Sequence, residues 1–268
     1  MAGLSGFLIG VLAGVATGIL SGMFGVGGAV VSTPVIRALG ATPIDAVGST
    51  IPSVLPSAIS GTLRYAREGL VRWRVFAWTA GFGILAAVGG ALTTDLVPGD
   101  GHLLMLATAV LLAFTSFRLA LPPRAPAVVA ADRPAVPAAP LVERAGVPYC
   151  ATAGIAAGAL SGLLGIGGGI LLVPLFTSWM RLPLKAAIAT SLACVGALSV
   201  PSLVTHAALG HVDWQYALPL TIGVIPGARI GAHLALRATE RTLRIAVASV
   251  LGAIAVVYFV GELDSLLG

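Results

Sequence analysis

The chain has 268 residues, of which 57% are hydrophobic and only 9% charged, with a mean hydropathy of +1.02. A water-soluble domain carries about 25% charged residues, so this chain cannot cover a surface in water and must be solvated by lipid. That argues against a soluble enzyme, a disordered or fibrous protein and a secreted disulfide scaffold. The net charge of +5 does not point to nucleic acid, because the 15 Lys and Arg fall in short polar gaps between apolar runs and form no basic face.

A membrane crossing needs about 20 mostly apolar residues, fewer where a helix is sunk in protein. Ten apolar segments are expected, at 3–23, 27–39, 44–63, 74–95 and 102–120, then at 147–164, 168–180, 185–208, 214–236 and 243–261. The first has no basic stretch before it and reads as a retained span. The second and seventh are too short to span the hydrocarbon core alone. Between the halves, the Pro/Ala/charge mixture of residues 122–146 reads as a flexible cytoplasmic linker. The expected organisation is a membrane repeat over 1–121, the linker over 122–146 and a second membrane repeat over 147–268.

Basic residues set orientation, because cytoplasmic loops are enriched in them. If all ten segments cross, one side holds Arg64, Arg67, Arg72, Arg74, Arg118, Arg124, Arg133, Arg144, Arg181, Lys185, Arg237, Arg241 and Arg244, the other holds Arg37, and Arg229 lies within a segment. If the two short segments turn back, the bias disappears. Ten crossings with both termini outside the cytoplasm are therefore expected.

The chain also repeats itself. Residues 18–34, GILSGMFGVGGAVVSTP, align with 158–174, GALSGLLGIGGGILLVP, and the register continues through Pro43/Pro183, Ala46/Ala186 and Thr50/Thr190. After one inserted residue it resumes at Gly69/Gly210, Val71/Val212, Trp73/Trp214 and Gly90/Gly231. Each copy holds five segments, an odd number, so the second enters the membrane from the opposite side. The expected fold is an all-α integral membrane protein of about ten segments in two inverted repeats, an architecture common among secondary transporters.

The glycine clusters SGMFGVGG and SGLLGIGGG each precede a short helix. Glycine permits positive φ and close approach. A helix start leaves amides without intrahelical partners and adds the positive end of the dipole, which together suit an anion. In lipid such donors survive only inside protein or at a wet cavity. Close packing of small residues is the competing explanation for any single glycine. The clusters match neither a dinucleotide fingerprint nor a phosphate loop.

The paired glycine pattern, the following prolines, Ala46/Thr50 and Ala186/Thr190, together with LGHVDW (209–214) and IPGARIGAHLA (225–235), resemble the TauE/SafE family of probable membrane transporters (sulfite exporter type). The resemblance implies transport of small, often sulfur-containing anions such as sulfite, sulfoacetate or other sulfonates across a bacterial inner membrane. The first copy departs from the second at Ala29, opposite Gly169, and at Leu85-Ala86, opposite Pro226-Gly227.

The candidate solute-binding residues are Gly25, Gly27, Gly28, Gly165, Gly167 and Gly168 through their backbone, Ser49, Thr50, Thr190 and Ser191 through hydroxyls, and Arg229 as the one basic residue well inside a segment. The hydroxyls could instead bond their own helix carbonyls, and Arg229 could snorkel toward water. Pro52, Pro56, Pro201 and Pro226 should kink their helices. His206 and His211 flank one loop, and Cys150 and Cys194 read as core packing. No paired carboxylates mark a proton or sodium relay. No His-x-x-x-His pattern marks a metal, and nothing calls for a cofactor. The expected partners are a small anionic solute and the bilayer, with room for a homo-oligomer and none for nucleic acid. Export of a small oxyanion by alternating access leads. A permease of the same fold for another solute is the alternative, ahead of a non-transporting membrane subunit or an enzyme.

Overall fold

In a computed structural model the described residues are 4–38, 40–93, 102–120, 146–164 and 167–267, and among them the regular structure is entirely helical. The ten helices are α1 (Leu4–Phe24), α2 (Ala29–Ala38), α3 (Pro43–Ala66), α4 (Trp73–Leu92), α5 (His102–Ala120), α6 (Val147–Leu164), α7 (Gly169–Ser178), α8 (Leu184–Ala208), α9 (Trp214–Arg237) and α10 (Glu240–Leu267). They fall on the ten expected segments, while the 122–146 linker lies almost wholly outside the described residues. Starts follow local chemistry. The Thr42 hydroxyl accepts from the Asp45 amide with Pro43 in the first turn of α3, and the Asp213 carboxylate accepts from the Gln215 amide at the start of α9.

The most extensive interfaces join the first five helices to the last five: α1 with α9, α4 with α6, α5 with α10 and α3 with both α8 and α9. In lipid the hydrophobic effect does not drive helices together, so close backbone packing must. Glycine makes that packing possible here. A Cβ on Gly14 or Gly18 would stand 2.5 Å from the Leu220 or Val224 carbonyl oxygen of α9, and one on Gly158 would land on the Gly83 carbonyl of α4. Much of the repeated glycine pattern, including Gly18, Gly22, Gly158 and Gly162, is thus a helix-packing device.

Contact order gives the running directions. Gly14, Gly18 and Gly22 of α1 meet Leu220, Val224 and Ala228 of α9 in sequence, and Thr79, Gly83 and Ala87 of α4 meet Gly154, Gly158 and Gly162 of α6. Both pairs are parallel. So are α3 and α9, through Ser49 with Asp213 and Ser60 with Ile225, and α4 and α8, through Arg72 with Thr190 and Gly83 with Leu198. Helices α3 and α8 are antiparallel, with Ala58 against Gly196 and Gly61 against Leu192. Hence α1, α3 and α9 run one way and α4, α6 and α8 the other. Because α1 and α3 point the same way, residues 25–42 carry the chain back to the end where α1 began. Had α2 turned back, α1 and α3 would be antiparallel.

Among the described residues six helices are long and apolar enough to cross a membrane, α1, α4, α6, α8, α9 and α10, so the chain is a multi-pass membrane protein. Helix α3 has the length but not the apolarity. Its Ser49, Thr50, Ser53, Ser57 and Ser60 are all buried, because α1, α8 and α9 cover it. The prolines of α3, α8 and α9 sit inside helices that continue past them, so no unwound stretch forms there.

Candidate functional site

The two glycine breaks share positive φ at the matching Gly27 and Gly167 and differ at the next pair, where Gly168 has positive φ and Gly28 does not. Helix α1 ends where Gly25, at φ +68°, still donates its amide to the Ser21 carbonyl. Gly27 follows at φ +80°, and the Gly28 carbonyl then accepts from the Val31 and Ser32 amides to open α2. In the second half Gly167 and Gly168 take φ +77° and +67°, and the Gly168 carbonyl accepts from Leu171 and Leu172 to open α7. Gly165 lies outside the described residues.

The breaks meet. A Cβ on Gly169 would stand 2.6 Å from the Gly25 carbonyl oxygen, and the Ser191 hydroxyl donates to that oxygen at 2.8 Å while lying 3.4 Å from the Gly169 carbonyl. Gly167 faces Val54 and Val195, which sit halfway along α3 and α8. The first break, at Gly25, therefore packs against the start of α7, and the second break lies at mid-depth in the bundle. Each helix is ten residues, about 15 Å, half of a hydrocarbon core of about 30 Å. The amides of Ala29 and Val30, and of Gly169 and Ile170, precede those that bond the Gly28 and Gly168 carbonyls and have no carbonyl of their own helix to bond, and Gly25, Gly27, Gly28, Gly167 and Gly168 are all buried.

The four candidate hydroxyls are buried near these breaks or at the helix ends beyond them, and each already has a partner. The Thr50 hydroxyl donates to the Val47 carbonyl at 2.8 Å. Thr190 donates to the Ala186 carbonyl at 2.7 Å and accepts from the Arg72 amide at 3.0 Å. Ser49 accepts from the Asp213 amide at 2.8 Å. A hydroxyl has one proton, so Thr50, Thr190 and Ser191 have spent theirs on carbonyls, and Ser49 keeps its own. Ser49 and Thr190 also each tie down the loop entering a helix of the other half. Arg229 stands apart: its side chain is exposed on α9 beside exposed Ile225, Pro226 and Ile230, while Gly227 and Gly231 face α1. The structure does not bring it to the breaks.

Two buried hydroxyls beside the breaks were not singled out by sequence. Thr17 and Ser161 are both fully buried, and neither hydroxyl has a hydrogen-bond partner. The signal for Thr17 was its spacing of one helical turn before Ser21. Comparison of the repeats hides it, because Ala157 holds its place in the second copy. Ser21 itself accepts from the Ser57 hydroxyl at 2.9 Å. Among the described residues no group of His, Cys, Asp and Glu is placed to hold a metal. His206 instead holds helices together, its Nε2 3.2 Å from the Gly162 carbonyl and its Nδ1 3.2 Å from that of His211.

The chain is similar to proteins with the same description in distant organisms. It is 34% identical over 218 residues to a probable membrane transporter protein of Xylella fastidiosa, covering 81% of this chain and 80% of that one. It is 29% identical over 256 residues to the probable membrane transporter protein YunE of Bacillus subtilis, with 88% and 91% covered, and 23% identical over 276 residues to MJ0441 of Methanocaldococcus jannaschii, likewise named a probable membrane transporter protein, with 92% and 90% covered. No solved structure matches it significantly. The family model described as Sulfite exporter TauE/SafE matches residues 10–258, nearly the whole chain, and the protein belongs to that family of membrane transporters.

Proposed function

We propose that this membrane transporter is an exporter of a small oxyanion of the sulfite, sulfonate or sulfoacetate type, working by alternating access around the two glycine breaks. The observation that carries the reading is the contact of the first break, at Gly25, with the start of α7, where Gly167 faces Val54 and Val195 halfway along α3 and α8. Bare peptide amides and two dipole ends can balance a negative charge there without a buried cation, and such irregular backbone is tolerated in lipid only where protein or a wet path surrounds it. The family description, Sulfite exporter TauE/SafE, supports a sulfur oxyanion as the first solute to test.

The halves are inverted copies in this reading. The opposed directions of α3 and α8, and of α1 and α3 against α6 and α8, support it. Two inverted bundles can exchange conformations and so turn an opening on one side into an opening on the other. Both termini then lie outside the cytoplasm and the linker inside, at the inner membrane. The test is flux in proteoliposomes loaded with sulfite, an alkylsulfonate, sulfoacetate, a small carboxylate or phosphate. Saturable efflux of a sulfur oxyanion, with counterflow on adding it outside, is expected. Preference for a neutral or cationic solute would overturn the anion reading, and flux of carboxylate alone would overturn the sulfur assignment.

A further inference from the structure

The two breaks differ in backbone, with positive φ at Gly168 but not at Gly28, and in the side chain beneath them. A Cβ on Gly28, the residue that opens α2, would stand 2.8 Å from Cγ2 of Thr17, whereas one on Gly168, which opens α7, would meet the backbone and Cβ of Ala157. Positions 17 and 157 correspond in the repeat. Oγ1 and Cγ2 share one carbon, so the Thr17 hydroxyl also lies beside the start of α2. It is fully buried and makes no hydrogen bond.

Among the described residues the buried hydroxyls of Thr62, Thr79 and Ser161 share that vacancy, but most do not. Helical hydroxyls here spend their proton on the carbonyl one turn back, as in Ser32, Thr33, Thr115, Thr190, Ser202 and Thr221, the ordinary solution for Ser and Thr in apolar helices. Thr17 could do the same and does not. Ser161, the other open hydroxyl beside a break, has a plainer origin. It corresponds to Ser21, and the register puts Ala197 or Leu198, neither with a hydroxyl, where Ser21 finds its partner Ser57. A buried donor left open beside a helix start awaits an acceptor.

We infer that the Thr17 hydroxyl is a side-chain donor to the transported oxyanion at the start of α2, so that the first break recognises oxygen on the solute while the second, over Ala157, offers only backbone. The inference rests on the anion reading above and goes beyond it by making the site asymmetric. An oxygen-bearing solute gains a directed hydrogen bond from Thr17 that a halide uses less well.

The test pairs Thr17→Val, which exchanges the hydroxyl for a methyl of similar size, with Thr17→Ser, which keeps the donor. Two quantities are read on purified full-length protein: KM for sulfite efflux from proteoliposomes, and melting temperature in detergent with and without sulfite. Thr17→Val should raise KM at least tenfold and abolish sulfite-induced stabilisation, with an unchanged or higher melting temperature without sulfite. Thr17→Ser should stay within about threefold of the parent. A parental KM in Thr17→Val overturns the inference and leaves the anion reading standing. So does a lowered melting temperature with KM unchanged, which would make the hydroxyl structural. If the parent protein neither moves nor is stabilised by any anion of the panel, both fall together.

Discussion

At the scale of single residues, surroundings decide what a given backbone angle is worth. Gly69 and Gly168 share φ +67°, where an L side chain costs about 1–2 kcal/mol. A Cβ on Gly69 meets nothing within 4 Å, while one on Gly168 lands on the Ala157 carbonyl. Gly69→Ala should therefore lower stability by about that strain and leave flux within twofold. Gly168→Ala should yield little folded protein, or folded protein without flux, as read by monodispersity and proteoliposome efflux. Equal effects would mean that α7 does not rest on α6. The ties made by Ser49 and Thr190 can be tested the same way. Ser49→Ala and Thr190→Val should each cost about 1 kcal/mol, because each leaves a loop amide of the other half without its acceptor. A weakened solute affinity at unchanged melting temperature would instead return both hydroxyls to the solute.

At the scale of helices, one residue type does opposite work on the two faces of α4. Gly83 faces Leu198 and Gly154, whereas Gly81 and Gly89 are exposed with nothing within 4 Å of an added Cβ. Gly81→Ala and Gly89→Ala should be neutral or stabilise by up to about 1 kcal/mol, the helix-propensity gain. Gly158→Ala should be clearly destabilising, because the added carbon collides with the Gly83 carbonyl and a backbone cannot swing aside as a side chain can. Thermal unfolding of the three variants in one detergent checks the ordering. Helix positions were legible in the sequence because a hydrophobic run bounded by Gly, Pro and charge has few other outcomes in lipid. Which glycines pack and which bend was not, since both need the same missing Cβ.

At the scale of the whole molecule, the halves are interleaved rather than adjacent. One buried cluster draws on α1, α2 and α3 and on α6, α7, α8, α9 and α10 together, so neither half should fold alone. The running directions predict where loops emerge. With single cysteines at Glu68, Gly40 and Gly210, all exposed, a membrane-impermeant reagent on intact cells should label 40 and 210 but reach 68 only after lysis. Labelling of 40 and 68 from the same side would break the ten-crossing arrangement. Energetics add a second expectation. A negative charge leaving a cell that is negative inside gains about 2.3 kcal/mol per 100 mV, enough to drive export without a coupling ion. Efflux should rise with an imposed inside-negative potential; a flux indifferent to voltage but dependent on a pH gradient would contradict it.

The sequence by itself determined that the chain lives in lipid, where its helices lie and that one pattern of glycines and prolines occurs twice, because hydropathy, helix breakers and repetition are properties of the linear chain. It also marked both glycine breaks. Only the tertiary structure decided that the breaks meet, that Arg229 faces away from them, that Ser49 and Thr190 hold loops of the other half, and that Thr17 and not its counterpart carries an open donor. Each of those depends on which surface a residue turns toward another helix. That is set by interhelical register between segments more than a hundred residues apart, which no local pattern encodes.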